Sequence, residues 1–242
     1  MLLSSSSAAN VAMAASAASA PAAPTRFRGL LLRSASAVVL GPILIVAIWI
    51  GFPWVDLVAA LAAPIMVFEW SRLTRGRPVA RAVAWTYSIA AVLALLWLRH
   101  QPAFGRETIL WIVLCVWATD TGAYFLGSLA GGAKLAPSIS PSKTWSGLIG
   151  GMCFSAVVSS ACGLVFNAGE TLTLAWAGAA IAVVAQLGDL YESAAKRRAG
   201  VKDSGRLIPG HGGLLDRIDG LIAALVAIAA LRLAMGGEWP WP

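Results

Sequence analysis

The sequence predicts an all-α integral membrane protein with about seven transmembrane helices and a cytosolic N-terminus. Of its 242 residues, 59% are hydrophobic and only 12% are charged, whereas soluble domains carry about 25% charged residues. Seven apolar runs approach the ~20 residues that a helix needs to cross a bilayer. Most Lys and Arg residues cluster between these runs, in alternate loops.

The chain divides into a leader and two membrane regions. Residues 1–24 are rich in Ala and Ser and lack the basic segment and long apolar core of a signal peptide, so we interpret them as a disordered leader. Residues 25–106 form the N-terminal transmembrane region, and residues 107–242 form a C-terminal region that carries the chemistry. The predicted spans, in order, are 34–51, 53–70, 82–98, 109–125, 145–165, 172–191 and 214–233.

The basic residues predict the orientation. Fourteen of the 18 Lys and Arg residues fall on one side if the spans alternate. Cytoplasmic loops carry such an excess, so we expect these loops in the cytosol and the protein in a bacterial-type inner membrane. The net charge of +7 then suits anionic lipid headgroups and not nucleic acid. Cys115, Cys153 and Cys162 lie in apolar runs without CxxC spacing, which predicts small buried side chains.

Two of the predicted cytosolic loops contain residues that a simple connection between two helices does not need. Residues 127–143 consist mainly of Gly, Ser and Pro, with Lys134 and Lys143 as the only charges. Gly and Ser let N–H and hydroxyl donors approach phosphate oxygens, and Lys143 precedes a span, where a helix N-terminus favours an anion. A flexible loop whose lysines reach the headgroups is the alternative.

The second loop, within residues 193–219, combines basic residues, a glycine-rich turn and carboxylates. Its basic residues alone are typical of a lipid-facing patch, but the turn at 209–213 and the pair Asp216 and Asp219 do not fit that interpretation. Residues three apart share a helix face. Asp189 and Glu192 repeat this spacing, and Asp120 lies inside the fourth predicted span.

Several carboxylates at one membrane depth indicate a cation. One ionised Asp in a span costs about 2.5–3.5 kcal/mol even on a lenient scale. Hard oxygen ligands favour Mg²⁺ or a similar ion bound with an anionic ligand, and a second cation is an open alternative. We interpret Glu69 differently, as paired with the arginines of residues 72–81. His211 is the only histidine placed to act on a substrate, as a base or as a hydrogen-bond donor.

Residues 120–220 resemble the phosphatidate cytidylyltransferase (CDP-diacylglycerol synthase) family. The resemblance rests on the spacing of Ser193, Lys196-Arg197, Lys202-Asp203, the 209–213 turn, Asp216-Arg217 and Asp219, and upstream on Asp120, Ser140-Pro141, Lys143-Thr144 and Gly188-Asp189. Ser146 stands where the family has Glu. The resemblance implies a nucleotidyltransferase that joins CTP and phosphatidic acid into CDP-diacylglycerol and pyrophosphate, at a cytosolic site open to membrane lipids.

The resemblance also implies roles for individual residues. Metal ligands are expected at Asp120, Asp189, Asp216 and Asp219. Catalytic roles are expected at Lys143, Lys196, Asp203 and His211. Substrate contacts are expected at Ser140, Arg197, Lys202, Gly212, Gly213 and Arg217. The metal is expected to be Mg²⁺.

Two other functions compete with this interpretation. A CTP-dependent lipid-alcohol kinase would use related loops but would release CDP instead of pyrophosphate. A cation-coupled transporter would use the intramembrane carboxylates but would show broken helices in two matching halves, and the sequence has no such symmetry. The small-residue stretch 147–151 suits helix packing within one chain or between two, so a homodimer stays open.

Overall fold

The computed structural model describes residues 41–205, 207, 212–236 and 239–241. This part of the chain forms seven helices and one short hairpin. The helices are α1 (Gly41–Ile50), α2 (Trp54–Leu73), α3 (Pro78–Arg99), α4 (Gly105–Ala130), α5 (Trp145–Phe166), α6 (Thr171–Arg198) and α7 (Leu215–Ala234). The strands are β1 (Lys134–Ala136) and β2 (Ser140–Thr144). The predicted leader lies outside the described residues.

Five helices, α2 to α6, are long and apolar enough to cross a membrane. Helix α7 spans 20 residues but carries Asp216, Arg217, Asp219 and Arg232, and α1 is described over ten residues only. Many large apolar side chains point outward, such as Phe68, Val157 and Leu164, as suits contact with lipid tails. The prediction of an integral helical membrane protein is confirmed.

The structure adds detail to two predictions. The loop predicted over residues 127–143 includes a hairpin, in which β1 and β2 pair antiparallel with Lys134 opposite Thr144 and Ala136 opposite Ser140. The hairpin is extended by the Trp145 N–H, which donates to the Ala133 carbonyl oxygen at 3.0 Å. Cys115 and Cys162 are buried as predicted, but Cys153 is exposed on α5.

The helices alternate direction, so their connections gather at two ends. At one end the Arg77 guanidinium donates to the Arg198 carbonyl oxygen at 3.0 Å, so the α2–α3 loop meets the end of α6. At the other end His100 lies 2.9 Å from Asp56, and the Trp241 indole N–H donates to Thr108 Oγ1 at 2.7 Å. The functional residues predicted from the sequence belong to the first end.

Candidate active site

The close approach of α6 and α7 creates the centre of the site. A Cβ on Gly188 would lie 2.7 Å from the Asp219 carbonyl oxygen and 2.6 Å from the Ala223 Cβ, so only glycine fits there. Asp189 follows Gly188 directly. The two helix backbones therefore bring Asp189 and Asp219 side by side, and each carboxylate lies in the electrostatic field of the other.

Lys143 connects the hairpin to this centre. Its ammonium group lies 2.6 Å from Asp189 Oδ2 and also donates to Gln186 Oε1 at 2.5 Å, one turn earlier on α6. The Ser193 hydroxyl donates to the other Asp189 oxygen at 3.1 Å. Gln186 was not predicted as a site residue, and its sequence signal is a polar amide inside an apolar run, three residues before Asp189.

Asp120 brings a third carboxylate from α4. Its side chain is exposed and lines a cavity of about 110 Å³ together with Arg217 and Asp219. Asp120 lies in the negative fields of Asp219 and Asp189 and in the positive fields of Lys143 and Arg217. The structure thus brings three of the four predicted metal ligands to one region.

Lys196 forms a second, more deeply buried charge cluster. Its ammonium group lies 2.7 Å from Asp216 Oδ1 and 2.9 Å from Glu192 Oε2, and the three side chains are 12%, 6% and 1% exposed. Two carboxyl groups therefore share one buried ammonium group. Glu192 had no predicted role, and its spacing from Asp189 is the only sequence signal for it.

Asp216 also holds the described part of the α6–α7 loop (residues 199–205, 207 and 212–214). Its Oδ2 accepts from the Ser204 N–H at 2.8 Å, from the Ser204 hydroxyl at 2.9 Å and from the Gly213 N–H at 2.8 Å. Gly212 has φ +85°, a left-handed conformation that favours glycine. Gly213 was expected to contact the substrate, but its N–H donates to Asp216.

Glu69 reaches the same loop from α2, and its predicted pairing with the arginines of residues 72–81 is wrong. Its Oε1 accepts from the Leu214 N–H and its Oε2 from the Leu215 N–H, each at 2.9 Å, and the Ser204 hydroxyl oxygen lies 2.9 Å from Oε2. Nothing local in the sequence signals these contacts, because the partners lie 135 to 146 residues away along the chain.

The other predicted site residues surround this centre. Arg197 donates from Nε to the Ile139 carbonyl oxygen at 3.2 Å and so holds the hairpin turn. Ser140 is half-buried in β2, and Lys202 and Asp203 are exposed in the α6–α7 loop. The Ser146 hydroxyl, at the position where Glu was expected, donates to the Gly131 carbonyl oxygen. His211 lies outside the described residues.

The carboxylates suit a cation that is shared with a substrate. Among the residues with described placement, no three Asp, Glu, His or Cys side chains converge tightly enough to hold a metal ion alone. Mg²⁺ is usually bound by one or two carboxylates plus substrate phosphates and water, not by an all-protein cage. Asp120, Asp189 and Asp219 offer such hard oxygen atoms, so this donor set fits Mg²⁺.

Comparison with known proteins identifies the family of the chain. Residues 83–234 match the family described as "Cytidylyltransferase family". A protein of Brucella suis biovar 1 named "Phosphatidate cytidylyltransferase" is 44% identical over 192 residues, covering 78% of this chain and 67% of the relative. A relative of the same name in Haemophilus influenzae is 48% identical over 134 residues, covering 52% of this chain and 46% of the relative. Another in Helicobacter pylori is 34% identical over 188 residues, covering 69% of this chain and 70% of the relative.

Proposed function

The chain belongs to the cytidylyltransferase family, and we propose that it transfers the cytidylyl group of CTP to phosphatidic acid. The products are CDP-diacylglycerol and pyrophosphate, which places the reaction in phospholipid biosynthesis. One observation carries the proposal. Two lysine–aspartate pairs, Lys143 with Asp189 and Lys196 with Asp216, lie at the same end of the helix bundle. Relatives named for the same activity supply the substrates.

The reaction needs charge control more than it needs a nucleophilic side chain. An oxygen of the lipid phosphate attacks the α-phosphorus of CTP, the bond to the bridging oxygen breaks, and its electron pair leaves with pyrophosphate. Both reacting groups are anionic, so positive groups must screen their repulsion and stabilise the leaving group. We assign this role to Lys143, Arg197, Lys202 and Arg217.

We propose that Asp120, Asp189 and Asp219 bind Mg²⁺ together with substrate phosphates. The bound cation neutralises charge on the phosphoryl oxygens. Asp216 was expected as a direct ligand. Because both of its oxygens accept hydrogen bonds from the protein, we place it behind the cation, where it holds Lys196 and the α6–α7 loop. Asp203 and His211 are proposed to orient this loop or the nucleotide.

A groove beside the loop offers a route for the lipid substrate. It has a volume of about 420 Å³ and is lined mainly by apolar atoms of Pro64, Ile65, Phe68 and Leu207, with Arg72 at the same groove. An apolar wall with the exposed Arg72 side chain beside it suits an acyl chain beneath a phosphate. We propose that the groove lies at the cytosolic face of the inner membrane, as the excess of basic residues on that side predicts.

The proposal is tested by supplying CTP and phosphatidic acid to the purified protein, with and without Mg²⁺. We expect pyrophosphate release that depends on both substrates and on Mg²⁺. Label in the α-phosphate of CTP should enter the lipid, whereas label in the γ-phosphate should leave with pyrophosphate. Transfer of the γ-label to a lipid alcohol would instead indicate the kinase, and absence of any CTP turnover would contradict both enzymes.

A further inference from the structure

We infer that Glu69 is a positioning residue that fixes the α6–α7 loop and the start of α7 in the conformation that Asp216 and Lys196 require. This inference rests on the proposed function. Glu69 lies on α2, outside residues 83–234 that match the family. It has no assigned role in the chemistry, and its side chain is aimed at the site from the N-terminal region.

The contacts of Glu69 are those of a helix cap supplied by a distant helix. The first N–H groups of an α-helix have no partner inside the helix. Glu69 accepts from two of the N–H groups at the start of α7, those of Leu214 and Leu215, each at 2.9 Å. Helix α7 has no side-chain cap of its own. A carboxylate at a helix N-terminus is also favoured by the helix dipole.

Ser204 connects Glu69 to Asp216. Its hydroxyl oxygen lies 2.9 Å from Glu69 Oε2 and 2.9 Å from Asp216 Oδ2, and its single proton is donated to one of them at a time. The Ser204 N–H donates to Asp216 at 2.8 Å. Displacement of Glu69 therefore changes the hydrogen bonds of the carboxylate that holds Lys196.

The loop is shaped around the Glu69 carboxylate. A Cβ on Gly205 would lie 2.5 Å from Glu69 Oε1, and a Cβ on Gly213 would lie 2.6 Å from Glu69 Oε2. Neither glycine has a left-handed φ, so glycine is required here for space. Glu69 itself is 2% exposed. The two glycines leave space for one buried carboxylate between them, which indicates that Glu69 has a single well-defined position.

The experiment compares Glu69→Gln with Asp56→Asn in the purified full-length protein. Both changes remove one carboxylate charge from α2, but Asp56 lies at the opposite end, beside His100. Gln has nearly the same shape as Glu, but its amide nitrogen is a donor. It therefore faces at least one N–H donor of α7, and that hydrogen bond is lost. The measurements are amide hydrogen exchange of the segment 199–215, kcat and KM for CTP, and the unfolding midpoint in the same detergent.

We expect faster exchange in 199–215 for Glu69→Gln and unchanged exchange at the start of α2. We also expect kcat to fall on the order of 10- to 100-fold, as for other supporting hydrogen bonds around a metal site, at a temperature where the variant stays folded. The effects of Glu69→Gln and Ser204→Ala should be non-additive in the double variant, because the two side chains share one hydrogen bond. Asp56→Asn should resemble the wild type.

Two outcomes would overturn the inference. One is a Glu69→Gln variant with wild-type exchange in 199–215 and kcat within about twofold of the Asp56→Asn control, well short of the 10- to 100-fold loss expected. The other is a loss of activity that only follows the unfolded fraction. If the wild type forms no pyrophosphate, the proposed function fails, and the exchange measurement alone decides whether Glu69 anchors the loop.

Discussion

Lys196 and Asp216 form a buried ion pair, 2.7 Å from ammonium to carboxylate, that joins the end of α6 to the start of α7. The same carboxylate holds the α6–α7 loop through Ser204 and Gly213. One residue therefore sets both the position of a cationic side chain and the conformation of the loop. Breaking a buried pair costs about 3–5 kcal/mol when the other charge is left alone, whereas Lys196 keeps Glu192 at 2.9 Å when Asp216 is changed.

Asp216→Asn is expected to lower kcat by at least about 10²-fold, since a misplacement of ~1 Å near reacting groups has an effect of this size. The variant should remain folded in detergent, because Asn keeps the shape and one acceptor oxygen. Pyrophosphate release and size-exclusion chromatography measure the two properties. Near-wild-type turnover would remove Asp216 from the site.

Lys143→Met is expected to raise KM for CTP on the order of 10- to 100-fold. Hydrogen bonds to charged groups contribute about 1.5–3 kcal/mol, and Lys143 faces Asp189 at the centre of the site. The matched control is Lys134→Met, the other lysine of the hairpin, which is exposed. Equal effects of the two changes would indicate a general electrostatic attraction of CTP to the surface and not a specific phosphate contact.

Asp120→Asn is expected to raise the Mg²⁺ concentration needed for half-maximal activity, because one of three carboxylates facing the proposed cation loses its charge. Saturating Mg²⁺ should restore part of kcat. Glu107→Gln is the control, since Glu107 lies on the same helix at its other end and pairs with Arg106. An unchanged Mg²⁺ dependence in Asp120→Asn would exclude Asp120 from the cation site.

Much of the site was predictable because its signals are local. The spans follow from runs of apolar residues, and Asp216 and Asp219 follow from helical spacing. Glu69 was misassigned because its hydrogen-bond partners lie more than 130 residues away along the chain, and only the tertiary fold brings them near. Spacing shows that the carboxylates of Asp216 and Asp219 share a helix face, but it does not show which protein donors contact Asp216, so its role beside a metal stays a prediction.

Ile65→Trp is expected to raise KM for phosphatidic acid while leaving KM for CTP unchanged, because a larger side chain would fill the groove that Ile65 lines. Leu57→Trp is the control, as Leu57 is an exposed apolar residue of α2 that does not line this groove. Initial rates with each substrate varied in turn measure both constants. A parallel rise in both KM values would indicate a distorted site, and no change would exclude the groove as the lipid route.

The orientation is testable with single cysteines at the two ends of the bundle. In a variant whose three native cysteines are replaced by Ser, we introduce Asp203→Cys in the α6–α7 loop or Glu170→Cys before α6, both at exposed positions. A maleimide that does not cross membranes should label Glu170→Cys in intact cells. It should label Asp203→Cys only after the membrane is opened, because the basic loops are expected in the cytosol. The reverse pattern would place the candidate active site outside, where CTP is absent, and would contradict the proposed function together with the orientation.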